Sequence, residues 1–234
     1  MTTVALSKVD VVDDVVADIL SKRLVQCITM FSSKDLGLLL AASQRPGWAF
    51  GRWTNALAVE VQHRDLATFS VRDICMSSQA LARIGSVGRA ALSALLTEAS
   101  RRKLKDFSIA DKAFLLWSMA KSKVVQLDLC CLLGKALGSC SELSREASSA
   151  ALWATAVLWD SLPVGSWKDH LASSLCMLTP WLVAPRCDVA SAAWAFGILP
   201  PEIVRGSWAS LTDSSRELAT EASLKAMSLH ELMQ

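Results

Sequence analysis

Counted from three evenly spaced phenylalanines, Phe31, Phe69 and Phe107, a cation falls at position +14 each time: Arg45, Arg83 and Lys121. Position +3 adds Lys34 and Arg72. Cations that return at a fixed period can line one surface as a ladder, and such a ladder suits a phosphate backbone, from which it releases condensed counterions. Position +14 has a second explanation, because the dipole of a helix that ends there favours a cation whether or not a phosphate is bound. A separate run, Arg101-Arg102-Lys103-Leu104-Lys105, puts four cations into five residues, either gripping phosphates or lying as a solvated loop between helices.

Other chemistry is sparse. Nine tryptophans could offer stacking platforms for bases. Trp117, Trp153 and Trp194, however, share one phase and each precedes Ser or Ala, so they are expected to be buried between units as core. Trp48, Trp53, Trp159, Trp167, Trp181 and Trp208 follow no common phase. The three histidines, His63, His170 and His230, are far apart, and no zinc-protease, nucleophile-elbow or P-loop motif is present. Lys168-Asp169-His170 reads as a polar patch on a helix. Seven cysteines, odd in number, with the adjacent pair Cys130-Cys131 and no C-x-x-C, suit buried thiols in a reducing compartment. A non-enzyme without cofactor or metal is therefore expected, with no catalytic residues.

The elements that would carry the cations follow from the same phase. Phe31-Ser32, Phe69-Ser70 and Phe107-Ser108 recur at one constant interval; Leu143-Ser144 follows after a slightly shorter one and Ala184-Pro185 after a slightly longer one. Asp35, Asp73 and Asp111 stand three residues after the serines, a spacing that caps a helix start. Pro185 serves the same start, having no N–H to lose. Small residues at +11 (Ala42, Ala80, Ser118, Ala154, Ala195) allow close helix approach, and Leu57, Leu95 and Leu133 at +26 belong to a second helix. Between the two lie turn signals such as Arg45-Pro46-Gly47, Ile84-Gly85-Ser86 and Leu162-Pro163. The expected fold is all-α: an α-solenoid of about five helix-turn-helix repeats of 36–41 residues, starting near 31, 69, 107, 143 and 184. Residues 1–27 would form an N-terminal capping helix, 28–226 the array, and 227–234 a truncated sixth unit or C-terminal cap.

Composition sets the frame. The 52% hydrophobic content of these 234 residues and only 20% charge exclude a disordered chain. Polar and proline breaks in the apolar stretches argue against a membrane span. With Asp10, Asp13, Asp14 and Asp18, the first residues read as neither a secretory signal nor a transit peptide. The net charge of +2 hides an asymmetry: residues 34–135 carry 15 Lys and Arg against 8 Asp and Glu, a net of +7, and the remainder nets −5.

The chain resembles the octotricopeptide repeat family over residues 28–234. The resemblance is carried by Phe107-Ser108-Ile109-Ala110-Asp111 with Leu115-Leu116-Trp117-Ser118-Met119-Ala120-Lys121, and by Ala192-Ala193-Trp194-Ala195-Phe196 with Leu199-Pro200-Pro201-Glu202. Heptatricopeptide repeats and the helical part of RAP-domain proteins use a similar Leu/Ala/Trp pattern and stay open beside it. No RAP-like nuclease domain is recognisable. The resemblance implies a non-catalytic, RNA-binding helical-repeat protein of mitochondria or, alternatively, chloroplasts. It further implies an architectural part of a ribonucleoprotein such as the mitochondrial ribosome, with ribosomal RNA and neighbouring proteins as partners and no small-molecule substrate. The RNA-binding candidates are Lys34, Arg45, Arg72, Arg83, Lys121, Arg101, Arg102, Lys103 and Lys105. The competing expectation is a protein scaffold that does not touch RNA.

Overall fold

Ser32, Ser70 and Ser108 each open a helix in the same way. The following Asp backbone N–H donates to the Ser Oγ at 3.2, 3.2 and 3.1 Å, and the Asp carboxylate accepts from the Ser N–H at 3.2, 3.1 and 3.1 Å. These reciprocal bonds satisfy two otherwise orphaned groups per helix and put a negative charge at the positive end of the dipole. Hydrogen bonds from Ser32 hold the Asp35 carboxyl below the usual carboxylate range. At Ser144 the Asp position is Ala147, and only the half remains, Ala147 N–H to Ser144 Oγ at 3.3 Å.

The computed structural model describes residues 14–43, 51–140 and 143–161, together with 168, 171, 195, 198 and 199. Among them are eight helices: α1 Asp14–Cys27, α2 Ser33–Ala42, α3 Gly51–His63, α4 Val71–Ile84, α5 Arg89–Arg101, α6 Ile109–Ser122, α7 Leu127–Gly138 and α8 Arg145–Leu158. The described residues include no strand, so the fold is all-α. The array beyond residue 161, the sixth unit and the Pro200-Pro201-Glu202 signature fall outside the described residues, apart from the few single positions named.

Within the first body, α2 packs on α4, while α3 packs on both α1 and α5. First helices thus meet first helices, and second helices meet second helices. Gly37 lies at the α2–α4 contact, where a Cβ would stand 3.4 Å from Ser77 Oγ of α4. The leucines and small residues placed in the core by phase are in it. Leu57, Leu95 and Leu133 are fully buried, as are Ser118, Ala154 and Ala195, with Ala42 and Ala80 nearly so. Burying each leucine contributes roughly 1.5–3 kcal/mol.

Two kinds of connection join the helices. Before α2 and α4 stand short 3₁₀ turns, Ile28–Met30 and Leu66–Thr68, separated by the same period as the caps. Before α6 the chain instead takes a left-handed pair, Lys103 at φ 51° and Leu104 at φ 55°. That conformation costs about 1–2 kcal/mol per residue, and it accompanies a buried Leu104 where Ile28 and Leu66 are only half-buried. Between α4 and α5, the 3₁₀ turn Gly85–Gly88 uses Gly85 at φ +83° and brings Gly88 so close that a Cβ would lie 2.7 Å from the Leu81 carbonyl oxygen. The chain divides into two units, Met1–Asp106 with Lys121–Val124, and Phe107–Ala120 with Val125–Gln234.

Candidate nucleic-acid interface

The eight candidate cations among the described residues do not form one site. Helices α4 and α5 pack together and are joined only by the short Gly85–Gly88 turn, so the end of α4 and the start of α5 share one edge. A helix of 14 residues, the length of α4, is about 21 Å long, and the opposite edge holds the start of α4 and the end of α5. Lys34 and Arg72, both exposed, sit in the first turns of α2 and α4. Arg83 and Lys121, also exposed, sit in the last turns of α4 and α6. Arg45 lies outside the described residues.

The edge of helix starts is a network of paired charge. Arg102, at the end of α5, donates from Nη1 to the Phe69 carbonyl at 2.9 Å, and from Nη2 to the Leu66 and Ala67 carbonyls at 2.9 and 3.2 Å. Its Nε donates to Glu98 Oε1 at 2.7 Å. Arg101 binds both Glu98 oxygens at 2.7 Å. Held chiefly by Arg101 and also by Arg102, the Glu98 carboxyl is lowered to about 2. One period earlier, Arg64 repeats the arrangement: Nε to Glu60 at 2.6 Å and Nη2 to the Ile28 and Thr29 carbonyls at 3.3 and 2.9 Å. Arg102 is therefore occupied as a staple that brings a charged donor to the turn carbonyls, of which Leu66 also accepts from the Phe69 N–H. Arg101, Lys103 and Lys105 remain exposed beside it, and so do Asp65 and Asp106.

The edge of first-helix ends is different in charge. No Asp or Glu occurs in residues 36–59, 74–97 or 112–127, the intervals that run through each intra-pair turn, but the third ends at Asp128, which is exposed in the first turn of α7. Those intervals contain Arg45, Arg52, Arg83, Arg89, Lys112, Lys121 and Lys123. Arg89, the first residue of α5, and Lys123, just past α6, are exposed. The first turn of α5 has no acidic residue, and a helix dipole does not account for a cation at its own positive end.

Sequence reasoning missed Arg64 with Glu60 as a structural pair, and Arg89 and Lys123 as surface cations. Two signals would have found them: a Glu-x-x-x-Arg element repeated at 60–64 and 98–102, and the phase of the acid-free intervals.

Trp117 and Trp153 meet at 6.3 Å between ring centroids, with planes tilted by 40°. Each is half-buried rather than enclosed, because an indole is large enough to pack one face on its neighbour and keep an edge wet. Among the described residues the enclosed tryptophan is Trp53, which shared no phase. Trp194 lies outside the described residues. Lys168 donates to the Trp159 carbonyl oxygen and stands 4.1 Å over the Trp159 ring, a cation–π contact, whereas Asp169 and His170 are outside the described residues. His63 Nδ1 bonds the Val59 carbonyl at 2.8 Å.

The described cysteines are free thiols, and burial, with Cys131 beside it, pushes the Cys130 thiol up to about 12, which keeps it protonated. Among the described residues there is no cluster of three or more metal-ligating side chains, and no helix long and apolar enough to cross a membrane. Neither a family model nor a curated protein nor a solved structure matches this chain.

Proposed function

We propose that this chain is a non-catalytic RNA-binding α-solenoid, an architectural component of an organellar ribonucleoprotein, with the mitochondrial ribosome as the best fit and the chloroplast as second choice. The observation that carries the reading is the coincidence of two periods. Capping box, 3₁₀ turn and arginine staple return together from the first unit to the second, at equivalent positions. Exposed cations, Arg83 and Lys121, return at the same period on first-helix ends. A periodic scaffold that presents one cation per unit is suited to a polymer whose charge is also periodic. The net +7 of residues 34–135 and the octotricopeptide-like motifs point the same way.

The second reading, a protein scaffold without RNA contact, rests on the 52% hydrophobic content and on Leu127 and Leu132 of α7, which are 50% and 37% exposed. Sedimentation of the native protein from an organelle lysate, with and without ribonuclease, separates the two. The RNA reading expects a heavy peak that collapses on digestion and carries a defined RNA. A peak indifferent to ribonuclease and free of RNA contradicts it and favours the scaffold.

A further inference from the structure

One first helix breaks the common pattern inside the core. Counted as before, positions +8 and +9 hold Leu39-Leu40 in α2, Leu115-Leu116 in α6 and Ala151-Leu152 in α8, all of them buried. In α4 the same pair is Ser77-Ser78. Neither hydroxyl has a hydrogen-bond partner, and at 0% exposure neither residue has surface that a water molecule can touch. Other buried hydroxyls of the chain bond to their own helix: Ser118 Oγ donates to the Phe114 carbonyl at 2.8 Å, Thr155 Oγ1 to the Ala151 carbonyl at 2.8 Å and Ser43 Oγ to the Leu40 carbonyl at 2.6 Å. Ser77 and Ser78 make no such bond. A hydroxyl that has given up water and gained no partner opposes the closed packing around it.

We infer that α2 is a segment of the first unit that opens by itself: it leaves α4 and unfolds while α4 and α5 stay packed, and the enclosed serine hydroxyls of α4 favour that opening. Ser77 is at the joint, since a Cβ on Gly37 of α2 would stand 3.4 Å from its Oγ. Separating α2 from α4 therefore returns the Ser77 hydroxyl to water. With ten residues, α2 is too short to persist as a helix once it has left its neighbour. The opening has a boundary on its N-terminal side, because Arg64 of α3 holds the Ile28 and Thr29 carbonyls of the turn that precedes α2. Opening uncovers Leu36, Leu39 and Leu40, which are buried in the closed chain, together with the α4 face they cover. A partner that binds either face then selects a state that the unit already visits. This conformational device stands apart from the RNA reading and holds for either proposed function.

The test is native-state hydrogen exchange on the full chain, followed at rising urea below the unfolding transition, for the wild type, Ser77→Ala and the double variant Ser77→Ala with Ser78→Ala. In the wild type, the amides of Leu39, Leu40 and Ala42 should exchange at least about tenfold faster than those of Leu92, Leu95 and Leu96 in α5. Their rates should change little with urea, because one short helix exposes little surface when it opens. Ser77→Ala should slow α2 exchange by roughly tenfold, the effect of removing one enclosed hydroxyl that lacks a partner, and the double variant should be slower still. Wild-type α2 amides that exchange together with those of α5, at the same rate and with the same urea dependence, overturn the inference whatever the variants do. A Ser77→Ala chain whose α2 amides exchange as fast as in the wild type, or faster, overturns it as well, because the hydroxyl then does not favour the opening.

Discussion

The two edges of the α4–α5 helix pair both carry cations, and the cations stand in different surroundings. On the edge of helix starts, arginine is a structural reagent: Arg64 and Arg102 reach back about 35 residues to hold the carbonyls of the preceding turn, each steadied by a Glu one helical turn earlier. On the edge of first-helix ends, Arg83 and Arg89 are exposed at helix termini, and residues 74–97 around them contain no Asp or Glu. The contrast teaches that the count of cations says little about binding. What makes staples of Arg64 and Arg102 is a carboxylate one turn earlier together with turn carbonyls within reach of the guanidinium.

The comparison breaks first if the staple is dispensable. Replacing Arg102 by Ala takes a donor from the Phe69, Ala67 and Leu66 carbonyls, of which Leu66 keeps the Phe69 N–H, and leaves Glu98 with Arg101 alone; it should cost about 2–4 kcal/mol in urea unfolding. Arg83→Ala on the other edge should stay within about 0.5 kcal/mol. Equal costs would mean that the two edges are not different in kind.

Gly88→Ala sharpens the geometry of the cationic edge. A Cβ 2.7 Å from the Leu81 carbonyl oxygen forces the α4–α5 turn to move, at about 1–3 kcal/mol, and should weaken RNA binding as well by displacing Arg83 and Arg89. Gly85→Ala meets no atom within 4 Å, and its penalty should come from the left-handed φ alone, about 1 kcal/mol.

Acid separates the edges again. The Glu98 carboxyl, ordinarily at 4.5, is depressed to about 2 in the folded chain, so its contribution to stability is complete above 4.5 and is lost as pH falls through about 2. The amount is on the order of 2 kcal/mol, after allowing for exposure of Arg101. Glu98→Gln should flatten this part of an acid-unfolding curve, and Arg83→Ala should not alter it. The smallest effect belongs to the caps: Ser70→Ala should cost about 1 kcal/mol. Ser144→Ala, where the box is only half made, should cost less.

Much of the fold was legible because its signals are local. A Ser and an Asp three residues apart cap a helix through bonds within one turn, so Ser32, Ser70 and Ser108 could be placed from spacing. The buried Leu57, Leu95 and Leu133 followed from the same phase. The site was less legible because its meaning is tertiary. Arg102 looks like a member of a basic run until its bonds to Phe69, Leu66 and Ala67 are seen, and nothing near it in sequence announces those carbonyls. The left-handed turn at Lys103 and Leu104 was equally hidden, since neither residue type signals a positive φ. Trp117 and Trp153 were placed correctly in phase but not in depth, because the space left to two large rings depends on both helices that carry them.

Whether periodic cations on first-helix ends contact RNA is tested most directly by reversing Arg45, Arg83 and Lys121 to Glu together and measuring the salt dependence of RNA affinity. The predicted result is a folded protein whose log–log salt slope is smaller by about 2, with affinity reduced alike for RNAs of different sequence. A folded triple variant with unchanged affinity and unchanged slope would contradict it.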